Sequence, residues 1–203
     1  MRIFLVGKID RYDWRHLLVK GLDERLETLD VAKEGWPVME NSIFSVHDFL
    51  GPYFCSIPKG ATETIKTHRL CLKGIDEADL VFCWFDNAEA YASLFEMGYA
   101  HAKGKYTVVA YPKGFDRREF WFLSCCADEF MEVDSPVAGL MLAMMKMIRA
   151  GRIANPAAEL EKVQRNMEKL KELDQMPGGT ELPKEREAHA EEDNGSRETT
   201  DGR

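Results

Sequence analysis

The sequence contains no long hydrophobic run. None approaches the roughly 18 apolar residues that a helix needs to cross a bilayer, and Lys8 and Asp10 interrupt the short apolar start of the chain. Neither a membrane span nor a signal peptide is predicted. Basic charge is also scarce, because 27 Lys and Arg stand against 35 Asp and Glu and give a net charge of −8. We therefore expect a cytoplasmic protein whose partners are neither membranes nor nucleic acids.

Cysteines are few and unsuited to cross-linking. The chain has five of them, an odd number, and no Cys-x-x-Cys pair, which argues against both a disulfide framework and a structural zinc site. A dinucleotide fingerprint is absent too. The first predicted strand is followed by Gly7-Lys8-Ile9-Asp10 rather than by Gly-x-Gly-x-x-Gly.

What is present is an alternation of strand and helix patterns. Such alternation predicts an α/β fold, a doubly wound parallel sheet of five strands that is flavodoxin-like or Rossmann-like, with helices on both faces. Residues 34–65 are predicted to be irregular, because they contain several Gly and Pro residues and scattered aromatics. Such a segment is either a functional loop or a structural loop that buried aromatic side chains hold in place. The predicted strands are residues 2–6, 28–32, 80–85, 106–111 and 129–133, and the helices are 14–26, 67–77, 92–102, 116–124 and 136–148.

The composition divides the chain into three parts. Residues 1–150 form the α/β domain. Residues 151–176 alternate Glu and Lys around a thin apolar stripe and predict a solvated helical extension. Residues 177–203 are acidic and nearly free of large apolar side chains, so they cannot offset the entropy of ordering and are predicted to be a disordered tail.

Glu96 is the first candidate for chemistry. It follows the predicted core strand 80–85 by one short loop, so it lies at the carboxyl edge of the sheet, where ligand crevices form in open α/β folds. Gly98 lies inside the same helix, where glycine costs about 1 kcal/mol relative to alanine, and close approach of a ligand or a neighbouring element would justify that cost. A carboxylate near a helix N-terminus is expected to stay ionised and could attack an electrophilic sugar carbon.

A structural interpretation of Glu96 is also open. Ser93-x-x-Glu96 fits a capping box, in which the serine caps the helix and the glutamate bonds back to the cap amide. That arrangement would explain both residues without catalysis.

Several further segments, taken in order, form a recognisable pattern. They are Gly7-Lys8-Ile9-Asp10 with Trp14-Arg15; Gly51-Pro52-Tyr53-Phe54; Cys71-x-x-Gly74-Ile75-Asp76-Glu77-Ala78-Asp79-Leu80-Val81-Phe82-Cys83-Trp84; and Glu96-Met97-Gly98-Tyr99-Ala100 with Gly104-Lys105. Over residues 2–150 this pattern resembles the nucleoside 2-deoxyribosyltransferase-like proteins.

The resemblance implies a flavodoxin-like fold and cleavage of the N-glycosidic bond of a 2′-deoxynucleoside or its 5′-monophosphate. The nucleophile it implies is Glu96, which would form a covalent glycosyl intermediate before transfer to another base or to water. A homo-oligomer is implied as well. No metal or organic cofactor is expected, because a glutamate nucleophile needs none. The substrate-binding residues we assign are Gly7, Lys8, Ile9 and Asp10, which the resemblance places around the sugar, together with Tyr53, Trp84, Asn87, Ser93 and Met97.

Two positions depart from the family pattern. Cys71 stands where better-studied members have aspartate, and Ala90 stands where they have an acid or a serine. Asp86, which directly follows the strand, is our candidate for protonating the leaving base, and Lys8 or Arg15 could hold a phosphate. Two alternatives stay open: cleavage of an NAD-type substrate by the same glutamate, and a non-catalytic nucleotide sensor.

Overall fold

The computed structural model of the chain describes residues 1–10, 13–18, 39–40, 48–52 and 61–174. Its strands are β1 (Arg2–Val6), β2 (Met39–Glu40), β3 (Asp48–Phe49), β4 (Leu80–Trp84), β5 (Tyr106–Pro112) and β6 (Glu129–Val133). Its α-helices are α1 (Arg15–Leu18), α2 (Ala61–Glu77), α3 (Tyr91–Ala102), α4 (Trp121–Cys126), α5 (Pro136–Arg149) and α6 (Pro156–Asp174).

The strands form one sheet in the order β2-β3-β1-β4-β5-β6. All neighbours are parallel except β2 and β3, which pair antiparallel at the edge. Numbered along the chain, the five parallel strands follow the order 2-1-3-4-5 of flavodoxin-like folds. The predicted doubly wound parallel sheet is therefore confirmed.

The central strands form because their sequences are continuously apolar, as expected of strands covered on both faces. All five residues of β4 are buried, and β1 pairs with it from Ile3 opposite Leu80 to Val6 opposite Cys83. Both strands thus end at the same level, and the loops that leave them start side by side.

Two apolar layers cover the sheet. Alternate strand residues point to opposite faces, so Leu5 and Trp84 pack with α5 and α6, whereas Val6 and Cys83 pack with α2, α3 and α4. We call these sides the α5 face and the α3 face. Helix α5 begins as its sequence predicts, with Pro136 in its first turn and the Ser135 hydroxyl accepting a hydrogen bond from the Ala138 amide at 3.1 Å.

The region around β3 differs from the sequence prediction. The strand beside β1 is β3, which lies inside the segment predicted to be irregular, and the predicted strand at residues 28–32 lies outside the described residues. Strands of two residues give too short a hydrophobic pattern to be recognised in the sequence.

The last described helix, α6, buries one side and exposes the other. Val163 is fully buried against the α5 face, and Leu160 and Met167 pack beside it. Within the described part of the chain, no helix combines the length and the apolar character needed to cross a bilayer. Residues 177–203, predicted to be a disordered tail, are not among those that the structure describes.

Candidate functional site

A cavity of about 470 Å³ opens at the carboxyl ends of β1 and β4. This is the point where the strand order reverses, and it is where open α/β sheets bind ligands. The loop after β1, the loop after β4 and the first turn of α5 together supply its walls. The lining residues are Lys8, Asp10, Asp13, Trp14, Leu17, Trp84, Asp86, Asn87 and Pro136.

Trp84 is one of the residues that line the cavity. Its ring packs in the core of the α5 face, and its indole Nε1 donates a hydrogen bond to Asp86 Oδ2 at 2.9 Å. Asn87 accepts a hydrogen bond from the Glu89 amide at 2.8 Å, which turns the chain toward α3. Hydrogen bonds therefore hold both Asp86 and Asn87 where they line the cavity.

Arg15 organises the loop after β1. Its guanidinium is fully buried and donates hydrogen bonds to the carbonyls of Leu5, Gly7 and Lys8 at 3.1 to 3.2 Å. Asp13 pairs with it at 2.8 Å. Arg15 is thus neither a surface residue nor a ready phosphate ligand, because its donors face the backbone of its own loop.

Gly7 lets the ends of β1 and β4 approach closely. A Cβ atom at this position would lie 2.7 Å from the Trp84 carbonyl oxygen and 3.0 Å from Trp14 Nε1. Since the nearest of these atoms belongs to the backbone, no larger residue fits without moving β4. Gly7 therefore allows the ends of β1 and β4 to lie this close because it has no side chain.

Glu96 lies on α3, on the opposite face of the sheet from the core that contains Trp84. It is buried there, and its carboxyl accepts a hydrogen bond from the Cys71 thiol of α2. The capping-box interpretation is wrong: helix α3 begins at Tyr91, its cap residue is Ala90, and no side chain caps it. Ser93 is the third residue of the helix and cannot act as its N-cap.

Burial raises the pKa of Glu96 from 4.5 to about 7, although the Cys71 hydrogen bond and the charge of Arg15 act to lower it. The expectation that the helix dipole keeps this carboxylate ionised is therefore wrong. Glu96 lies beyond the first helical turn, where the dipole has little effect, and desolvation dominates. At neutral pH the carboxyl is poised between its acid and base forms.

The Cys71 thiol stays protonated beside this carboxyl. Burial is the first cause that raises its pKa, and the neighbouring Glu96 charge is the next. A protonated thiol can donate to the carboxylate but is a weak donor. Cys71 therefore contacts Glu96 without adding a second negative charge.

The structure gathers only some of the predicted site residues. Lys8, Asp10, Trp84, Asp86 and Asn87 line the cavity. Glu96, Ser93 and Met97 share the buried side of α3 instead.

Gly7 and Ile9, both in the loop after β1, are not among the residues that line the cavity. Ile9 is half-buried there, and Tyr53 lies outside the described residues.

Sequence analysis missed Asp13, Trp14, Leu17 and Pro136 as cavity residues. Asp13 accepts hydrogen bonds from the amides of Asp10 and Arg15, and an aspartate just before a helix is a recognisable cap signal. Pro136 could be placed there only from the flavodoxin-like strand order, since the first turn of α5 then lies near the end of β1. Leu17 had no distinguishing signal.

Gly98 lies inside a helix, which suggested that another element packs closely on it, but no described residue does so. No described atom lies within 4 Å of a Cβ atom built there. We expect Gly98→Ala to raise the free energy of unfolding by about 1 kcal/mol, because alanine loses less backbone entropy in a helix. Urea unfolding followed by circular dichroism measures this. A loss of stability, or a loss of self-association, would show instead that something packs on this glycine.

Comparisons of the chain with models of protein families, with curated proteins and with solved structures find no match. The likeness to the nucleoside 2-deoxyribosyltransferase-like proteins therefore rests on the motifs described above.

Proposed function

We propose that this chain cleaves the N-glycosidic bond of 2′-deoxynucleosides or their 5′-monophosphates, with Glu96 as the nucleophile. One observation supports this more than any other. Glu96 is a buried carboxyl at the carboxyl edge of a parallel sheet, and its pKa is raised to about 7. A buried acid with a strongly perturbed pKa at such an edge is a typical feature of active sites.

The proposed reaction has two steps. A Glu96 oxygen bonds to C1′ as the C1′–N bond breaks, and the base leaves with the electron pair and takes up a proton. A second base or water then attacks C1′, releases a proton and frees the carboxylate. Asp86 is the proposed proton donor. It lines the cavity, whereas Glu96 does not, so a substrate that contacts both acids has to extend across the ends of β1 and β4.

The proposal includes a homo-oligomer. Exposed aromatic side chains lie on two neighbouring helices of the α3 face: Tyr91 and Phe95 on α3, and Trp121 and Phe122 on α4. Exposed apolar groups of this size are typical of interaction surfaces. A second copy of the chain is the partner that the family resemblance suggests.

Chromatography of free base tests the activity. The protein is incubated with purine and pyrimidine deoxynucleosides, their 5′-monophosphates and NAD, each with and without an acceptor base. Base exchange indicates a transferase, release without an acceptor indicates a hydrolase, and release of nicotinamide from NAD alone indicates the NAD-type alternative.

The activity is expected to depend on pH through Glu96. Only the ionised carboxylate can attack C1′, so kcat/KM should rise as pH passes through about 7, the raised pKa of Glu96. Two pH units below that pKa the rate should be about 100-fold below its plateau, because the ionised fraction falls tenfold per unit. A rate that is flat from pH 5 to pH 8 would contradict Glu96 as the nucleophile.

A non-catalytic nucleotide sensor is the second candidate. The cavity is lined by residues of the α5 face and its loops and does not include Glu96, so a ligand could bind without reaching the carboxyl. Saturable binding of a nucleotide with no release of base in the assay would favour this alternative.

A further inference from the structure

A cluster of polar side chains joins the end of α2 to the end of α3. The Tyr99 hydroxyl of α3 donates toward both carboxylate oxygens of Asp76, 3.2 Å from each, and the Lys103 ammonium lies 3.3 Å from the same carboxylate. Lys105, which follows α3, donates to the carbonyls of Asp76 and Ala78 at 2.6 and 3.0 Å. We call Asp76, Tyr99, Lys103 and Lys105 the clamp. It lies beside the start of β4, at the opposite end of that strand from the cavity.

Ion pairing alone does not explain the clamp. The side chains of Asp76 and Lys103 are nearly half exposed, and pairs of this kind contribute little to stability. The Tyr99 ring, in contrast, packs on the apolar layer of the α3 face while its hydroxyl reaches α2. Every contact of the clamp between elements joins the end of α2 to α3 or to Lys105, so the clamp determines how α2 lies against α3.

The contact between Glu96 and Cys71 joins the same two helices. Tyr99 follows Glu96 by three residues, a spacing that places both side chains on one side of α3. Their partners, Asp76 and Cys71, both belong to α2, which packs beside α3. The clamp and the hydrogen bond from Cys71 are therefore successive contacts along one seam between two helices.

Helix α2 is also held on the sheet, by a different set of contacts. A Cβ atom at Gly74 would lie 2.7 Å from two ring carbons of Phe4 on β1, and Ile75 is fully buried beside them. These contacts hold α2 against β1. The clamp adds the connection to α3, on which Glu96 lies.

The titratable and charged groups that the structure describes around Glu96 are Cys71 of α2, Cys83 of β4 and Arg15 of α1. Burial raises the pKa of both thiols, so neither ionises near neutral pH. The charge of Arg15 favours the carboxylate, and burial, the largest influence on the pKa of Glu96, opposes it. Because α2 covers Glu96 through Cys71, the fit of α2 on α3 controls how much water reaches the carboxyl.

We propose that Tyr99 and Asp76 are positioning residues for Glu96. Their hydrogen bond holds α2 against α3, so that the Cys71 thiol stays on the Glu96 carboxyl and water stays out. Without that bond, α2 moves away and the carboxyl becomes hydrated. The consequence for catalysis rests on the proposed function of Glu96, whereas the consequence for its ionisation does not.

Nuclear magnetic resonance of the Glu96 carboxyl carbon tests the proposal. The full-length protein is labelled with carbon-13 at its glutamate carboxyl groups, and Glu96→Gln identifies the signal of Glu96. Tyr99→Phe keeps the packed ring and removes only the hydroxyl. We expect the titration midpoint of Glu96 to fall from about 7 by at least about half a pH unit, because the loss of burial outweighs the loss of the bond from Cys71. In the base-release assay, the rise of kcat/KM should move to lower pH by the same amount.

Two further variants control this measurement. Lys73→Met is the matched control, because the Lys73 ammonium lies 3.7 Å from Glu77 of the same helix and this pair does not connect α2 to α3; the Glu96 midpoint should stay unchanged. Asp76→Ala removes the acceptor of the Tyr99 hydroxyl and should also lower the midpoint. Adding Tyr99→Phe to Asp76→Ala should cause no further shift, because the hydroxyl has already lost its partner.

Three results would overturn the positioning role. The first is an unchanged or raised Glu96 midpoint in Tyr99→Phe, even if that variant unfolds at lower urea concentration, because the clamp would then only hold the helix ends together. The second is a fully additive effect of Tyr99→Phe and Asp76→Ala, and the third is an equal shift in Lys73→Met. A lowered midpoint in a protein that releases no base from any substrate would support the positioning role and refute the glycosidic proposal.

Discussion

Replacing Glu96 by glutamine is expected to lower base release by at least about 1,000-fold while the fold is kept. Glutamine has nearly the same shape as the protonated acid but cannot form the covalent bond to C1′, and removal of a nucleophile typically costs this much or more. The variant is measured in the chromatographic assay at pH 8, where most of the parent's Glu96 is ionised. Glu161→Gln is the matched control, because this carboxylate is exposed on α6, which packs on the α5 face.

The same variant should be more stable than the parent at pH 8, by on the order of 3 kcal/mol. Burial raises the pKa of Glu96 from 4.5 to about 7, so between these pH values the folded protein holds a proton that the unfolded chain has released. The parent therefore loses stability as pH rises from 4.5 to 7, whereas the variant does not. Urea unfolding at pH 4 and pH 8 measures the difference, which should vanish at pH 4.

These two results separate the interpretations of Glu96. A variant that loses activity and gains stability at high pH identifies a carboxyl kept buried for chemistry rather than for folding. Full activity in Glu96→Gln would refute the catalytic assignment. An equal stability difference at both pH values would show that this carboxyl ionises as an exposed one does.

Arg15→Met is expected to lower the free energy of unfolding by about 3 to 5 kcal/mol, as removal of one partner of a buried ion pair usually does. The Arg15 side chain is fully buried and that of Asp13 nearly so. Its removal leaves the Asp13 carboxylate without its cation and the carbonyls of Leu5, Gly7 and Lys8 without their donor. Urea unfolding followed by circular dichroism measures the loss.

Arg15→Lys is the control for charge alone. Lysine keeps the positive charge but cannot reach several carbonyls with a rigid fork of donors, so an intermediate loss is expected. A free energy of unfolding for Arg15→Met within about 1 kcal/mol of the parent's would contradict this expectation. Water would then have to replace the guanidinium as hydrogen-bond donor, and the loop after β1 would not depend on Arg15.

The strands β1, β4 and β5 were predictable because each is a largely continuous apolar run, and such runs are typical of strands covered on both faces. Strand β6, with two glutamates among its five residues, was predicted as a short edge strand. The alternation of these strands with helices was enough to predict the class of fold. Strand β3 was not predictable, because two residues form a strand only when a neighbour pairs with them.

The cavity at the ends of β1 and β4 was predictable, because open α/β sheets form crevices at the carboxyl edge of the sheet. The place of Glu96 was not, because the sequence suggested that it lies in this crevice, whereas the structure buries it on α3 outside the cavity lining. The ionisation of Glu96 depends on its burial and on the hydrogen bond from Cys71 of α2. No local sequence pattern indicates that contact. The burial of Arg15 could not be predicted either, because an arginine in the first turn of a helix is usually exposed.

The alternation of Cys83 and Trp84 along β4 directs successive side chains to opposite faces of the sheet. The two faces are nevertheless coupled through charge, because Arg15, which holds the loop after β1, also lowers the pKa of Glu96, and Cys83 interacts with both Glu96 and the cavity residue Asp86. A single-residue insertion within β4 would turn each of its later side chains to the opposite face and would therefore alter the cavity and the surroundings of Glu96 together.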